Sequence, residues 1–381
     1  MASVTAICDN GTGVVKAGFA GDTQPRVVFP CTVARSSGSR DVLIGGDAAA
    51  CHGSLTLNYP MANGIVQNWA DMELVWSHTW SQLGIEPGSS YVLLTDAALN
   101  PVANRKRVVE TMLEQYGFQG VNLQVQAVLT LYGHGVQSGV VMDSGDGVSH
   151  AVAVVDGYAY SHLTQRLAIA GRHITEHLMD LLIQRGVALH RTADLDLVRC
   201  LKEQACYVAP NLQQELKVAR ETTAVTQSYS LPDGRVIKLG MERFQAPEAL
   251  FQPGLLDKEQ PGVADMVFNV INECDMDTRP VLYKNVIISG GSTMFPGFAT
   301  RMEAELRQLY SLRENILGVA AASRVRLHAS PNRQHLVFMG ASVLGDMMQG
   351  QPDFWISRAD WEEDPHRALA KCGLAQPLAG H

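Results

Sequence analysis

The chain has 381 residues, 46% of them hydrophobic and 18% charged, and a formal net charge of −8. That composition is enough for two or three domains with large cores and excludes a disordered or fibrous chain. The acidic balance argues against gripping a nucleic-acid backbone through a general positive field. Seven cysteines at irregular spacing, with no C-x-x-C, exclude a disulfide framework and a cysteine-rich zinc module and point to a reducing compartment. Met1-Ala2-Ser3-Val4 does not read as a basic leader, and no apolar run approaches the ~18 residues that span a bilayer. The expectation is a cytoplasmic protein that inserts in no membrane.

The first element is an apolar strand, Val4 to Cys8, that runs into Asp9-Asn10-Gly11-Thr12-Gly13 and leaves as a second strand from Val14. Arg35 to Gly53 is rich in Ser, Gly and Ala and reads as an irregular exposed insertion. Asn100-Pro101 predicts a helix with Asn as its cap and Pro in its first turn. Val108, Met112 and Tyr116 form its apolar stripe, and Gly117 ends it. Val121, Leu123 and Val125 alternate with Asn122, Gln124 and Gln126, which predicts a strand with Gln126 on its polar side at the end.

The opening design then returns. Gly139 to Met142 leads into Asp143-Ser144-Gly145-Asp146-Gly147 and out through Val148 to Val155. Asp9 aligns with Asp143, Gly11 with Gly145, Gly13 with Gly147, Val14 with Val148 and Ala17 with Ala151. A repeat this distant predicts two similar domains, each opening with a hairpin. Ile174, Leu178, Leu181 and Leu182 mark a helix ending at Gly186. Tyr229 to Leu239 reads as a hairpin around Pro232-Asp233-Gly234, and Val286 to Ile288 as a buried strand before Gly290-Gly291. A helix follows through Phe298, Met302, Leu306 and Tyr310, and a small-residue run interrupts Ser311 to Ser323. Alternating strands and helices predict an α/β protein with partly parallel sheets.

Glycines at alternate positions let a backbone approach an anion and turn several N–H groups toward one point. Asp9 and Asp143 sit at the mouths of the two turns, and Lys16 follows the first. An acid beside a bound phosphate ordinarily serves a divalent cation, and magnesium keeps most of its waters. Two such hairpins facing each other would clamp a triphosphate. D-x-G-x-G alone also fits an ordinary hairpin, and the repetition favours the phosphate reading. Gly290-Gly291-Ser292-Thr293 fits either a ligand site at the carboxyl end of a strand or a tight strand-to-helix turn. Neither a P-loop nor a dinucleotide fingerprint occurs. His173-Ile174-Thr175-Glu176-His177 has the spacing of an inverted zinc-protease motif but lacks a third ligand, so a helix surface is the better reading.

Taken together, Asp9 to Gly13, Lys16-Ala17-Gly18-Phe19-Ala20-Gly21-Asp22, Gln126 to Leu129 with Leu131-Tyr132, Asp143 to His150, and Gly290 to Gly297 resemble the signatures of the actin family. The resemblance covers nearly the whole chain. It implies an α/β, actin-like ATPase fold, with two similar domains flanking a nucleotide cleft. The first would hold residues 1–133 plus 336–381, with 31–58 as its small subdomain. The second would hold 134–335, with 170–258 as its small subdomain. The implied cofactors are ATP and Mg2+. By position, Gly11, Thr12, Gly13 and Lys16 would hold phosphates from one side and Gly145, Asp146 and Gly147 from the other. Asp9 and Asp143 would order the metal's waters, Gln126 would orient the attacking water, and His150 would assist proton transfer. Arg199, Lys202 and Glu203, with Gly290, Gly291, Ser292, Thr293, Met294, Phe295 and Pro296, would surround the nucleoside.

Asn211 to Thr223, Tyr229 to Lys238 and Ser311 to Ser323 look closer to an actin-related protein than to actin. Gln334 stands where the family commonly has a Lys beside the base, Asn63 where actin has a methylated His, and the segment between Phe29 and Leu57 is shorter than actin's contact loop. The resemblance therefore implies a subunit of the complex that nucleates branched actin filaments, with slow ATP hydrolysis as a switch, in the cytoplasm and cytoskeleton. Its implied partners are a second actin-related protein, the remaining subunits, actin and nucleation-promoting factors, with no nucleic acid. The alternative is a divergent actin that forms filaments alone. A sugar kinase or chaperone ATPase with the same clamp is a third reading. The first would need a sugar-facing catalytic Asp, and the second a long substrate-binding domain, which is not expected here.

Overall fold

Each Gly-rich turn closes an antiparallel hairpin, and each hairpin seeds a sheet. The computed structural model describes residues 4–35, 42–50, 56–190, 194–230, 234–317 and 325–372. Thr5–Asn10 pairs with Val14–Phe19, with Asp9 opposite Lys16. Gly139–Ser144 pairs with Ser149–Val155, with Asp143 opposite His150. Both acids thus lie within the last residues of a strand rather than in the turn itself. Directly paired residues project to the same face, so each acid shares a face with a basic partner.

The two sheets then grow by one plan. Thr5–Asn10 takes Tyr91–Asp96 as a parallel neighbour, and Gly120–Val125 adds parallel to that. Gly139–Ser144 takes Val286–Ser289 in parallel, and Leu327–His328 adds parallel to that. Outside the hairpins, Val27–Pro30 extends the first sheet, and Tyr158–Ala159 and Gln165–Leu167 extend the second, all antiparallel. The repeat is therefore one of topology as well as sequence. The inner strands are apolar and covered on both faces, as parallel strands in α/β folds are. Ala6, Ile7 and Cys8 are fully buried, as are Val140, Val141 and Met142 and their neighbours Val286 and Ile288.

The chain leaves the first sheet through the helix Gln126–His134 and returns to it through the helix Leu336–Met347. These helices cross at two glycines. A Cβ on Gly340 would lie 1.7 Å from the Leu129 carbonyl oxygen, and one on Gly133 would lie 2.7 Å from that of Leu336. Only bare backbone fits there.

Several local expectations need correction. Within Arg35–Gly53, Val42–Ile44 is a strand and Gly46–Ala50 a short helix, and Val33–Arg35 pairs with both Val42–Ile44 and Thr56–Asn58. Residues 36–41 and 51–55 lie outside the described residues. The cap at Asn100 does not form: Pro101 occupies the N-cap of Val102–Glu110, and the Asn100 amide instead donates to Asp96 Oδ1 at 2.6 Å. Asp96 is buried beside Arg105, and the Asn100 oxygen that would cap the helix accepts from Asn104 Nδ2 instead. All six residues of Gly120–Val125 are buried, so Asn122 and Gln124 are inside, and Gln126 begins a helix instead of ending the strand. The later hairpin is Gln227–Ser230 against Val236–Leu239, with 231–233 outside the described residues. The helix from Phe298 runs on to Leu317, and 318–324 are likewise outside. Among the described residues, no helix is long and apolar enough to cross a membrane.

Gly340→Ala should destabilise the protein by about 1–3 kcal/mol in urea unfolding, because overpacking a backbone contact outweighs alanine's better helix propensity. Gly88→Ala, where an added Cβ meets nothing within 4 Å, should be close to neutral. Equal effects would mean that the helix crossing is not tight.

Candidate functional site

The two turns meet each other. A Cβ on Gly13 would lie 2.7 Å from Asp146 Cβ, and one on Gly147 would lie 2.8 Å from Thr12 Cγ2. Thr12 and Asp146 are equivalent in the repeat, so the contact is reciprocal: each turn offers a glycine to the other's side chain. Above this contact opens a cavity of about 760 Å³, a size common for small-molecule sites.

The second turn is held from outside. Gly145 O accepts from Gly171 N–H at 3.0 Å and from Ser292 Oγ at 2.6 Å, and Asp146 O accepts from Arg172 N–H at 2.8 Å. In the first turn, Gly13 O accepts from Cys31 N–H, and Thr12 Oγ1 accepts from Gly64 N–H. These bonds take the carbonyls into the walls, and Gly145 N–H donates to Val148 O at 3.2 Å; a Gly-rich turn whose carbonyls are engaged in this way suits an anion.

The cavity floor is acidic. Asp9 is 2% exposed; its Oδ2 takes Lys16 Nζ at 3.0 Å, and its Oδ1 takes the Thr95 hydroxyl at 2.7 Å. Asp143 faces the cavity but lies deep in the protein. Loss of bulk water pushes its carboxyl above the ordinary value; Lys16 and Ser289 draw it back and Asp9 adds repulsion. One lysine thus serves two carboxylates. A divalent cation would supply the missing positive charge, and paired carboxylate oxygens are hard donors of the kind magnesium takes, directly or through water. Gln126 Nε2 approaches Asp9 Oδ1 at 3.3 Å and Thr95 Oγ1 at 3.4 Å. Its amide nitrogen is engaged, which leaves Oε1 as an acceptor.

On the other wall, Lys202 is 6% exposed and donates to Gly171 O at 2.8 Å. Burial pulls its ammonium below the usual lysine value. Among the described residues no carboxylate lies within salt-bridge distance of it, so this wall holds a desolvated cation ready for an electron-rich ligand. Arg172 joins the sides: it pairs with Asp146 Oδ2 at 3.1 Å and stacks on the Tyr59 ring at 4.3 Å.

A family model described as Actin matches residues 2–372. The chain belongs to the actin family. It is 48% identical to "Actin-related protein 2" of Arabidopsis thaliana, over 97% of this chain and 98% of that relative. It is 47% identical, with the same coverage, to proteins of that name from Oryza sativa subsp. japonica and subsp. indica.

This actin-family cavity gathers most of the residues singled out from the sequence. Asp9, Gly11, Thr12, Gly13, Lys16, Gln126, Asp143, Gly145, Asp146 and Gly147 line it. So do Arg199, Lys202, Glu203, Gly290, Gly291, Ser292, Met294, Phe295 and Pro296. Two of the expected residues are not on its wall. Thr293 is fully buried; its hydroxyl donates to Gly290 O and accepts from Arg333 Nε. His150 is 5% exposed and stands beside Asp143 on the ladder, with Arg166 opposite on its other side. Gly290 combines both of its readings. It lines the cavity, yet its φ of 93° and a virtual Cβ 2.2 Å from Ser144 O also demand glycine for packing. Gly64, Gly171, Ser289 and His335 line the cavity without having been given a role, as does Asn10 of the first turn's signature. Asn10 and Ser289 adjoin signature residues, which is the signal that could have found them. The zinc-like spacing places His173 and His177 on the helix Gly171–Gln184, where His173 Nδ1 accepts from Ala170 N–H. Among the described residues no group of three or more His, Cys, Asp or Glu could hold a metal ion.

Burial, then Arg166, pulls His150 down to about 4. It is neutral at pH 7, and its stabilising contribution is complete above about pH 6.5 and lost as pH falls toward 4. The difference of about 2.5 units corresponds to roughly 3 kcal/mol at most. His150→Gln should therefore shrink the stability difference between pH 7 and pH 4 by about 1–3 kcal/mol in urea unfolding. An unchanged difference would show that His150 titrates normally.

Proposed function

We propose that the chain is an ATP-binding subunit of the actin-related protein 2/3 complex, which templates branched actin filaments. Its near full-length similarity to relatives named actin-related protein 2 supports this reading. The observation that carries the nucleotide part is the pair of equivalent turns that touch across one cavity, each with an acid on its floor. When bound, Mg2+ would neutralise phosphate charge and the floor carboxylates together. Asp9 and Asp143 would hold its waters, the turn N–H groups and Lys16 would hold the phosphates, and Arg199, Lys202 and Glu203 would face the nucleoside. Gln126, anchored through its Nε2, would accept a hydrogen bond from the attacking water at Oε1 and so fix the water's direction. Positioning of this kind supplies most of phosphoryl-transfer catalysis. His150, neutral and adjacent to Asp143, would take up a proton only transiently. Hydrolysis would be slow and would act as a switch.

The proposed partners are actin-related protein 3, the other subunits of the complex, actin and nucleation-promoting factors, in the cytoplasm and cytoskeleton. Neither nucleic acid nor direct membrane insertion forms part of this reading.

Two variants separate binding from hydrolysis. Asp143→Ala should weaken retention of Mg-ATP at least about tenfold, a difference of roughly 1.4 kcal/mol. Gln126→Ala should leave affinity within about twofold but slow single-turnover hydrolysis at least about tenfold. Unaltered retention in the first variant would refute the clamp, and unaltered hydrolysis in the second would refute the role of Gln126. The assembly role is tested by purifying the native protein and identifying copurifying subunits by mass, alongside pelleting of the isolated chain in Mg-ATP. The reading expects the other subunits of the complex and no filaments. Long filaments of this chain alone would favour a divergent actin.

A further inference from the structure

The repeat that gives the cavity its two acids extends to the strand beside each of them. Thr5–Asn10 lies parallel to Tyr91–Asp96, with Cys8 beside Leu94, so Asp9 and Thr95 are the next residues along. Gly139–Ser144 lies parallel to Val286–Ser289, with Met142 beside Ile288 and Asp143 beside Ser289. Cys8 and Met142 are equivalent in the repeat, as are Asp9 and Asp143. Thr95 and Ser289 are therefore equivalent too, and each acid has a hydroxyl residue as its neighbour on the adjoining strand.

Both hydroxyls are buried, and both face their acids. The Thr95 hydroxyl donates to Asp9 Oδ1 at 2.7 Å. It also lies 3.4 Å from Gln126 Nε2. An amide nitrogen only donates, so the hydroxyl accepts from Gln126 and gives its own proton to the carboxylate. The Ser289 hydroxyl is hydrogen-bonded to the Asp143 carboxyl. Its other acceptor, the Arg333 carbonyl oxygen, is neutral and 3.4 Å away. A hydroxyl has one proton to give, and an ionised carboxylate is the stronger acceptor.

A carboxylate that orders a metal's waters must present the same oxygen at the same place, and groups bonded to it from behind decide whether it does. The two acids differ in how well they are held. Asp9 Oδ1 is taken by Thr95 and Gln126, and Oδ2 by Lys16. For Asp143, Ser289 is the one side chain hydrogen-bonded to it among the described residues, and Lys16 acts on it only as a nearby charge. Asp143 therefore depends on Ser289 more than Asp9 depends on Thr95.

We propose that Thr95 and Ser289 are paired positioning residues: each donates a hydrogen bond that holds a floor carboxylate, Asp9 or Asp143, in the orientation that receives the waters of a divalent cation. The inference rests on the reading of the cavity as a Mg-nucleotide site and adds to that site two groups outside its turns. Because the hydroxyls act through the carboxylates, their loss should weaken the hold on the metal and leave the nucleotide's own contacts in place.

The test is a Mg2+ titration of the full chain, reading retention of a fluorescent ATP analogue, with its affinity also measured in excess chelator. Ser289→Ala should raise the Mg2+ concentration for half-maximal retention at least about fivefold, and Thr95→Val at least about threefold, as groups that orient metal ligands do. Affinity in chelator should stay within about twofold of the natural chain, and Thr95→Ser, which keeps the hydroxyl, should hold Mg2+ within about twofold as well. Should Ser289→Ala fail to fold, Ser289→Cys, whose thiol is a weak donor, is read in the same way. Variants with the natural Mg2+ dependence would overturn the proposal. So would variants weakened equally with and without metal, which is what a purely structural role predicts. A natural chain that retains the analogue equally well at every Mg2+ concentration would remove the metal site itself, and the proposal with it.

Discussion

The structure depends on one contact, that between the two Gly-rich turns. Gly13 receives Asp146 and Gly147 receives Thr12, each at a distance that no side chain at the glycine would permit. Every feature of the cavity follows from it. The turns must approach so closely that their strands end side by side, which brings Asp9 and Asp143 to one floor. The approach is favourable only if like charges on that floor are balanced. Lys16 balances part of the charge; burial above all, with Asp9 adding repulsion, keeps the Asp143 carboxyl raised. A floor that holds two carboxylates and one lysine is short of positive charge.

The same contact is supported by others that join the two sheets. The helices Gln126–His134 and Leu336–Met347 meet at Gly133 and Gly340, where an added Cβ would strike backbone oxygen. Arg172 pairs with Asp146 of the second turn and stacks on the Tyr59 ring. Close-packed contacts of this kind resist sliding of one element past another.

Much of this was legible in the sequence because duplication preserves spacing. Asp9 and Asp143 align together with four further pairs around them, and the observed registers Asp9↔Lys16 and Asp143↔His150 keep the same spacing. What escaped depended on competition between partners. Asn100 has the chemistry of a helix cap, but its Nδ2 donates to the buried Asp96 and its Oδ1 accepts from Asn104 Nδ2, so both ends of the amide are taken elsewhere. Asn122 and Gln124 alternate as a half-exposed strand would, yet they are buried, because Asn122 reaches the Phe354 carbonyl and Gln124 reaches Asn122. Thr293 and Ser292 are neighbours in one motif. A one-residue step in a 3-10 turn sends Ser292 to the cavity and Thr293 into the packing beneath. The Tyr59–Arg172 stack joins segments more than 100 residues apart, and no local pattern announces it.

The central claim, that both turns together form one ligand clamp, is tested most directly by hydrogen exchange of the full chain with and without Mg-ATP. The account predicts that amides of 9–16 and of 143–150 gain protection together, over the same range of nucleotide concentration. Protection of one turn without the other, or of neither at saturating nucleotide, would contradict it.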